Sequence, residues 1–201
     1  MAQNTIQNSS LLFPEDVIVY VAAYSTEFTT LAELSSANFL NCGALTEYSR
    51  ESANESVQPG SFNVEHDQVV TKEAETINIT LQEFNSSIVN LLRGTMSQQV
   101  TTSLDLIGGT SAADLEVLYS GDADTVTACM LWEIATYSDG RTRQAYFPYV
   151  FYVSGGSYSA KSQGTGEYGD MGFQLEARES PVLTYNNRKQ YRIELLSTAS
   201  T

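Results

Sequence analysis

The stretch ETINITLQEFNSSIVNLLRG, residues 75–94, contains two hydrophobic periods with no obvious loop between them. In its first half, polar and apolar residues alternate, which is the pattern of a strand with one buried face. The apolar members of this alternation are Ile77, Ile79 and Leu81. We therefore predict a half-buried strand over this part of the chain.

After Phe84, the apolar residues of the same stretch recur at helical spacing. They are Ile88, Leu91 and Leu92, which share one face of a helix. Asn85 or Ser86 can cap the first turn, and Gly94 suits the left-handed residue that ends a helix. The stretch thus predicts a short helix packed on the strand, with a helix–sheet core of Ile77, Ile79, Leu81, Ile88, Leu91 and Leu92.

The rest of the chain is dominated by strand patterns separated by turn signals. The segment 17–25 reads as a buried strand, and further strands are predicted at 99–107, 114–120, 126–138, 143–155, 170–180 and 190–196. Asp139-Gly140, between two of these runs, is the strongest hairpin signal. The predicted fold is mainly β, an antiparallel β-sandwich or barrel flanked by a short α-helix. It forms one domain over 17–201 after a flexible N-terminal arm, residues 1–16.

The composition disfavours several partners. The formal net charge is −14, which repels the phosphates of nucleic acids and of anionic membranes. The longest apolar run, residues 17–23, is far shorter than a membrane span, and the first ten residues do not resemble a signal peptide. Cys42 and Cys129 are too few for a disulfide framework or a zinc site, so we expect two buried thiols and no cofactor.

Four local motifs can be read as chemical sites, and each has a simpler interpretation. GTGEYG (164–169) precedes a strand pattern rather than a helix, which favours a loop over a dinucleotide site. His66 is the single histidine and lies in an acidic segment, so we interpret it as solvent-exposed. GDADT (121–125) lacks most ligands of a calcium loop and is interpreted as a turn. Glu83 and Glu133 are an example of a carboxylate pair that could serve a glycosidase, with Trp132 as a sugar platform, but in a chain with 24 acidic residues some such pair is always found by chance.

The order of segments resembles that of the major tail tube proteins of long-tailed bacteriophages. The residues that carry the resemblance are NFLNCGALTEYS (38–49), the Glu- and Ser-rich excursion 50–70, the strand-then-helix stretch 75–94, and RQAYFPYVFYVSGG (143–156). The resemblance implies a non-enzymatic virion protein of the tail, assembled in the host cytoplasm. It further implies rings of six copies that stack into a hollow tube through which DNA leaves without specific binding.

The same resemblance implies partners and contact regions. The partners are other copies of the chain, a tape-measure protein, a tail terminator and tail-tip or baseplate proteins. A long loop at about 46–76 would reach an adjacent ring. Acidic residues in or beside that loop are candidates for facing the lumen or the inter-ring contact, with ordinary solvated surface as the alternative: Glu47, Glu51, Glu73 and Glu75.

Two other functions stay open at this point. A carbohydrate-binding or carbohydrate-cleaving β-sandwich is suggested by Trp132, the 12 tyrosines and the 24 acidic residues. A related effector-system tube protein, whose rings carry cargo other than DNA, would share the fold of the phage proteins. Electron microscopy distinguishes these possibilities, because a tube protein forms rings or tubes, whereas a carbohydrate-binding protein is expected to stay monomeric.

Overall fold

The computed structural model describes residues 14–57, 69–83, 85–93, 97–100, 104–105, 111–112, 115–118, 128–159, 170–185 and 187–197. Its helix is α1 (Ser86–Arg93), and a 3₁₀ turn lies at Leu31–Glu33. The strands of the main sheet are β1 (Asp16–Ala23), β2 (Leu40–Asn41), β3 (Leu45–Val57), β4 (Val69–Leu81), β9 (Cys129–Thr136), β10 (Thr142–Ser159), β11 (Asp170–Ala177) and β12 (Ile193–Leu196). Two small pairs involve β5 (Ser97–Val100), β6 (Leu104–Asp105), β7 (Ser111–Ala112) and β8 (Leu115–Leu118).

The main sheet has the order β2-β1-β9-β10-β11-β4-β3, and β12 pairs with the first part of β10. Every pairing in it is antiparallel. The remaining pairs are β5 with β8 and β6 with β7. The predicted fold class, a mainly antiparallel β structure with one short helix, is therefore confirmed.

The strand β4 and the helix α1 together form one side of the core. Ile77 and Ile79 of β4 are fully buried opposite Leu175 and Phe173 of β11, and Leu81 is buried beside them. The helix contributes Ile88, Val89 and Leu92 to the same cluster, while Leu91 is partly buried against it. The helix begins where the side-chain oxygen of Asn85 accepts the backbone N–H groups of Ser87 and Ile88. Phe84 and Gly94 lie outside the described residues.

The main sheet curls around this core. The hydroxyl of Tyr48 on β3 donates to Glu133 on β9 over 2.7 Å, although three strands separate β3 from β9 in the sheet order. The bend is supplied in part by β10, whose register shifts three times along its pairings. One shift lies at Gly155, where φ is 114° and a Cβ would come within 2.5 Å of the Gly172 carbonyl oxygen.

A second cluster covers the opposite face of β1, β9 and β10. It is built from Phe39, Met130, Trp132, Tyr146 and Tyr185, with their neighbours in the segments 24–34 and 183–193 packed around them. The Tyr185 hydroxyl donates to the backbone carbonyl of Phe28 over 2.6 Å. These two segments are thereby fixed to the sheet, so the first half of β10 is covered on both faces.

The turn predicted at Asp139-Gly140 joins β9 to β10. The Gly140 N–H donates to the Tyr137 carbonyl, and the Tyr137 N–H donates to the Arg141 carbonyl. Gly140 has φ of 78°, which is the conformation that this position of the turn requires. The predicted hairpin is confirmed, with the two strands in register from Thr136 opposite Thr142.

Two predicted boundaries differ from the structure. The long loop expected at about 46–76 is largely strand, since 46–57 belong to β3 and 69–76 to β4; residues 58–68 lie outside the described part. The expected arm 1–16 already contributes Glu15 and Asp16 to the sheet, because the Glu15 N–H donates to the Thr136 carbonyl. Residues 1–13 of that arm lie outside the described residues.

Candidate assembly surfaces

A polar face spans three neighbouring strands on the side opposite the apolar core. Cross-strand pairing aligns Glu51 with Thr76, Ser49 with Asn78, and Glu47 with Thr80, and the same rows continue onto β11. We call this surface the polar sheet face: Glu47, Ser49, Glu51, Thr76, Asn78, Thr80, Gln174 and Glu176. All eight side chains are exposed or half-exposed. This face of the sheet is therefore exposed to solvent, whereas the opposite face packs against the core.

The four predicted acidic residues do not share one surface. Glu47 and Glu51 lie exposed on the polar sheet face. Glu75 is only 1% exposed and lies on the same side of β4 as Ile77. A residue that faces the lumen or an adjacent ring must lie on the surface of the subunit, so the prediction for Glu75 is wrong. Glu73 pairs in register with Asn54, and its side chain is outside the described part.

The strands β3 and β4 form a hairpin that is longer than the sheet beside it. Both strands run for 13 residues, but β11 pairs with β4 only from Glu75 to Leu81. The segments 53–57 and 69–74, which we call the arm, pair only with each other among the described strands. Five residues of strand reach roughly 16 Å. The arm thus extends past the edge of the sheet as a two-stranded ribbon.

The base of the arm is held by a cluster of charges, of which Glu75 and Glu133 are buried. Arg50 on β3 places Nε 3.6 Å from Glu75 Oε1 and 3.3 Å from Glu133 Oε2, and its Nη2 is 3.6 Å from Glu194 Oε1. Arg192 bridges Glu75 and Glu194 from just before β12. Arg143 lies 3.9 Å from the second oxygen of Glu133. We call this set the root network: Arg50, Glu75, Glu133, Arg143, Arg192 and Glu194.

The pKa values are shifted for Glu133 of the root network and for Tyr48, whose hydroxyl donates a hydrogen bond to it. Burial raises the pKa of Glu133 above its ordinary 4.5, although Arg50 and the Tyr48 hydroxyl oppose the change. Burial, followed by the nearby Glu133 carboxylate, raises the pKa of Tyr48 well above 10. The guanidinium of Arg50 also lies 5.6 Å from the centre of the Phe147 ring. The network is thus an electrostatic junction between β3, β4, β9, β10 and β12, with a buried centre and a partly exposed rim.

A third feature is a groove between the beginning of β1 and the beginning of β3. It has a volume of about 470 Å³, and we call it the β1–β3 groove. Its walls include Val17, Leu45 and Tyr48, and its charged lining residues are Glu15, Asp16 and Glu47. Because β2 pairs with β1 only at Tyr20 and Val21, the first residues of β1 face β3 without a ladder between them.

The carbohydrate site suggested by Trp132 is not formed. Trp132 is 8% exposed, stacks on Tyr20 with ring centroids 5.0 Å apart, and donates its indole N–H to Gln144. Its ring is therefore part of the second core cluster and not a platform for a sugar. Glu133 is 4% exposed within the root network, whereas Glu83 is exposed and faces Gly43.

The remaining motifs of the sequence analysis do not form a binding or catalytic site among the described residues. His66, the run GTGEYG and Asp122 with Asp124 lie outside the described residues. Among the residues that are described, no three histidine, cysteine or carboxylate groups come together to hold a metal ion. Cys42 and Cys129 are free and buried, as predicted, and burial raises both thiol pKa values to about 12. Within the described part of the chain, no helix is long and apolar enough to cross a membrane.

No protein-family model matches the sequence, and no curated protein matches it. Among solved structures, the chain is similar to a chain of the six-fold symmetrised cryo-EM structure of the anti-feeding prophage baseplate. The identity is 8% and the TM-score 0.42, with 97% of each chain covered. A chain of the anti-feeding prophage cap, a tube terminating cap, has 8% identity and a TM-score of 0.47, with 98% of this chain and 95% of that chain covered.

Proposed function

We propose that this chain is a structural subunit of a phage-tail-like tube, built from stacked rings of six copies. The observation that carries the proposal is the β3–β4 hairpin: one edge strand presents a polar sheet face, extends into an arm, and is fixed at its base by the root network. An unpaired strand edge tends to join another strand, and ring assembly turns that tendency into subunit contacts. In this proposal the arm contacts the adjacent ring.

The polar sheet face is proposed to line the bore. It carries Glu47 and Glu51 on β3, which pairs in register with β4. A ring of six chains has a formal charge of 6 × −14 = −84. Carboxylates that face the bore repel phosphate within about 8 to 10 Å at physiological salt. DNA therefore passes without specific binding, and the same bore can conduct another polyanionic or neutral cargo.

We further propose that the role is not catalytic and that the tube belongs to a virion tail assembled in the host cytoplasm. The buried carboxylates Glu75 and Glu133 face arginines inside the sheet, so they hold the fold together and meet no substrate cleft. Besides other copies of the chain, the proposed partners are a tape-measure protein in the bore, a tail terminator, and tail-tip or baseplate proteins.

The arm provides a direct test, because it can be removed without touching its base. Residues 54–73 are replaced by Asn-Gly, which joins Ala53 to Ala74, a pair that lies directly opposite in the hairpin. Asn-Gly forms the two-residue turn that matches strand twist. Because Arg50 and Glu75 are kept, we expect a folded subunit that no longer stacks into tubes, seen by circular dichroism and negative-stain electron microscopy.

The parent chain and a variant with Asn-Gly in place of residues 58–68 serve as controls. Tubes from the parent with folded single rings or monomers from the arm-deleted chain support the proposal. Tubes of normal length from the arm-deleted chain would show that the arm makes no inter-ring contact. A parent chain that stays monomeric at every concentration, and binds oligosaccharides, would exclude a tube subunit altogether.

A further inference from the structure

Two exposed cations lie side by side on a short rigid turn before β12. Tyr185 and Arg188 exchange two backbone hydrogen bonds of 2.9 and 3.1 Å, and Asn187 between them has φ of 60°. Arg188 and Lys189 are both exposed, and neither forms an ion pair with a described residue. We call residues 187–189 the cationic turn. The Tyr185 side chain anchors it to the second core cluster, so its position on the subunit is fixed.

This lack of an ion pair is unusual among the described cations of the chain. Arg50, Arg143 and Arg192 are engaged in the root network. The more exposed arginines also have partners, since Arg141 pairs with Asp139 and Arg178 pairs with Glu176. In a chain with 24 acidic and 10 basic residues, two adjacent cations without a carboxylate are the feature that an acidic partner would recognise.

The β1–β3 groove carries the complementary charge. Glu15, Asp16 and Glu47 are exposed along it, and among the described residues that line it there is no arginine or lysine. Its volume of about 470 Å³ leaves room for long side chains to enter with their alkyl stems along Val17 and Leu45. The groove is formed by strand starts, whereas the cationic turn lies on the segment that covers the opposite face of the sheet.

We propose that the cationic turn of one copy docks in the β1–β3 groove of the next copy. The inference rests on the proposed function, because it names the contact that joins neighbouring subunits. Turn and groove are different surfaces of the same chain, so the contact is head-to-tail and continues from copy to copy until a ring closes. Paired charges at this contact also offset the mutual repulsion of subunits that each carry −14.

The test exchanges the charges of the two surfaces. The turn variant is Arg188→Glu with Lys189→Glu, and the groove variant is Glu15→Lys with Asp16→Lys, which leaves Glu47 of the polar sheet face unchanged. Each variant opposes like charges at every contact, so we expect each alone to assemble at least about tenfold less well than the parent. In an equal mixture, every turn of one variant meets a complementary groove of the other. Alternating copies then restore assembly to nearly the parent level, measured by sedimentation velocity and electron microscopy.

Matched controls change the same charges elsewhere. Arg141→Glu reverses an exposed arginine in a different turn, and Glu179→Lys reverses an exposed carboxylate outside the groove; both are expected to assemble like the parent. Recovery in the mixture distinguishes docking from a folding defect, since two misfolded chains do not rescue each other. Circular dichroism of each variant before mixing checks the same point.

The outcomes separate this inference from the proposed function. If the parent assembles and both variants assemble equally well, or the mixture fails to recover, the docking contact is wrong while the tube proposal stands. If the parent never self-associates, both are wrong. If the parent retains a short DNA duplex that the turn variant releases, with assembly unchanged, the cationic turn binds nucleic acid and the docking contact is overturned.

Discussion

At the scale of single residues, Arg50 joins three carboxylates from three different strands. Its contacts to Glu75, Glu133 and Glu194 connect β4, β9 and β12 to the strand that carries it. Arg50→Ala leaves Glu133 and Glu75 buried with less counter-charge, so we expect a loss of about 3 to 5 kcal/mol in the free energy of unfolding. Urea unfolding at neutral pH measures it. Arg141→Ala, which removes an exposed arginine paired with Asp139, is the control and should change stability little.

The second prediction at this scale concerns Glu133 and the pH dependence of the free energy of unfolding. Its pKa is raised in the folded chain by burial, so the folded state holds the proton more tightly than the unfolded state. The contribution of Glu133 to stability is then highest below its unfolded pKa of about 4.5 and falls as pH rises through the folded value. Glu133→Gln removes this loss while keeping an acceptor for Tyr48. The stability of the variant relative to the parent should therefore rise as the pH increases from about 4.5 to neutrality, on top of a pH-independent cost of removing one carboxylate from the root network.

Urea unfolding of both chains at several pH values gives the difference curve. The comparison is needed because it cancels the contribution of ionisable groups that lie far from position 133. A difference that stays flat, or that falls with rising pH, would contradict a raised pKa at this position.

At the scale of elements, the sequence predicted α1 and the last part of β4, from Ile77 to Leu81, from period alone, whereas residues 69–76 of β4 were assigned to the long loop. The period also indicated the place of Glu75. Glu75 has the same parity as Ile77, Ile79 and Leu81, so the alternation already puts it on the buried face. Glu75 was chosen as a candidate for the lumen because of its charge. The structure shows what compensates this charge on the buried face, namely Arg50 and Arg192 opposite it. A buried charge is stable when its partners arrive from distant strands, and one strand's pattern does not show them.

The strand β3 was missed for a related reason. Its inward side carries Tyr48 and Arg50 where an ordinary strand would carry Val or Ile, so its sequence has the composition of a loop. The polar residues on its outer side strengthen that impression. Tertiary contacts with Glu133 and Phe147 determine this strand, and local propensity does not.

Bending of β10 gives the element-scale prediction. A Cβ at Gly155 would meet the Gly172 carbonyl oxygen at 2.5 Å, and φ is 114°. Gly155→Ala must therefore displace backbone of β11 and is expected to cost at least about 2 kcal/mol more than Gly140→Ala. Gly140 has φ of 78° with nothing within 4 Å of a Cβ, so it isolates the strain of the conformation from the clash. Thermal unfolding of both variants measures the difference, and equal costs would show that the β10–β11 contact yields easily.

At the scale of the whole molecule, the distribution of charge bears on how cargo passes. In the proposed tube, Glu51→Lys changes the formal charge of each ring by 6 × 2 = +12 on the polar sheet face. We expect tubes of this variant to retain DNA that parent tubes exclude, because the added cations attract phosphate at short range. Co-sedimentation of assembled tubes with a short duplex measures the retention.

Glu179→Lys provides the control with the same change of charge at another exposed site. Equal retention by both variants would indicate that total charge matters and that the polar sheet face does not line the bore. The total charge follows from the composition, but the face of the sheet that carries it does not. That face depends on the alternation of side chains along β3 and on the register of β3 with β4.

The root network also limits which substitutions related sequences can carry. Its three arginines and three glutamates are neutral in sum, and its centre, formed by Arg50, Glu75 and Glu133, is largely buried. Removal of one of these three leaves its buried partners with less counter-charge, whereas replacement of a whole buried set by apolar residues is often tolerated or stabilising. Such a set cannot drift one position at a time. We expect related sequences to keep all six residues or to have exchanged Arg50, Glu75 and Glu133 together, so that these alignment columns covary, and a lineage that has lost only one of them should carry a compensating change at a neighbouring position of β3, β4 or β9.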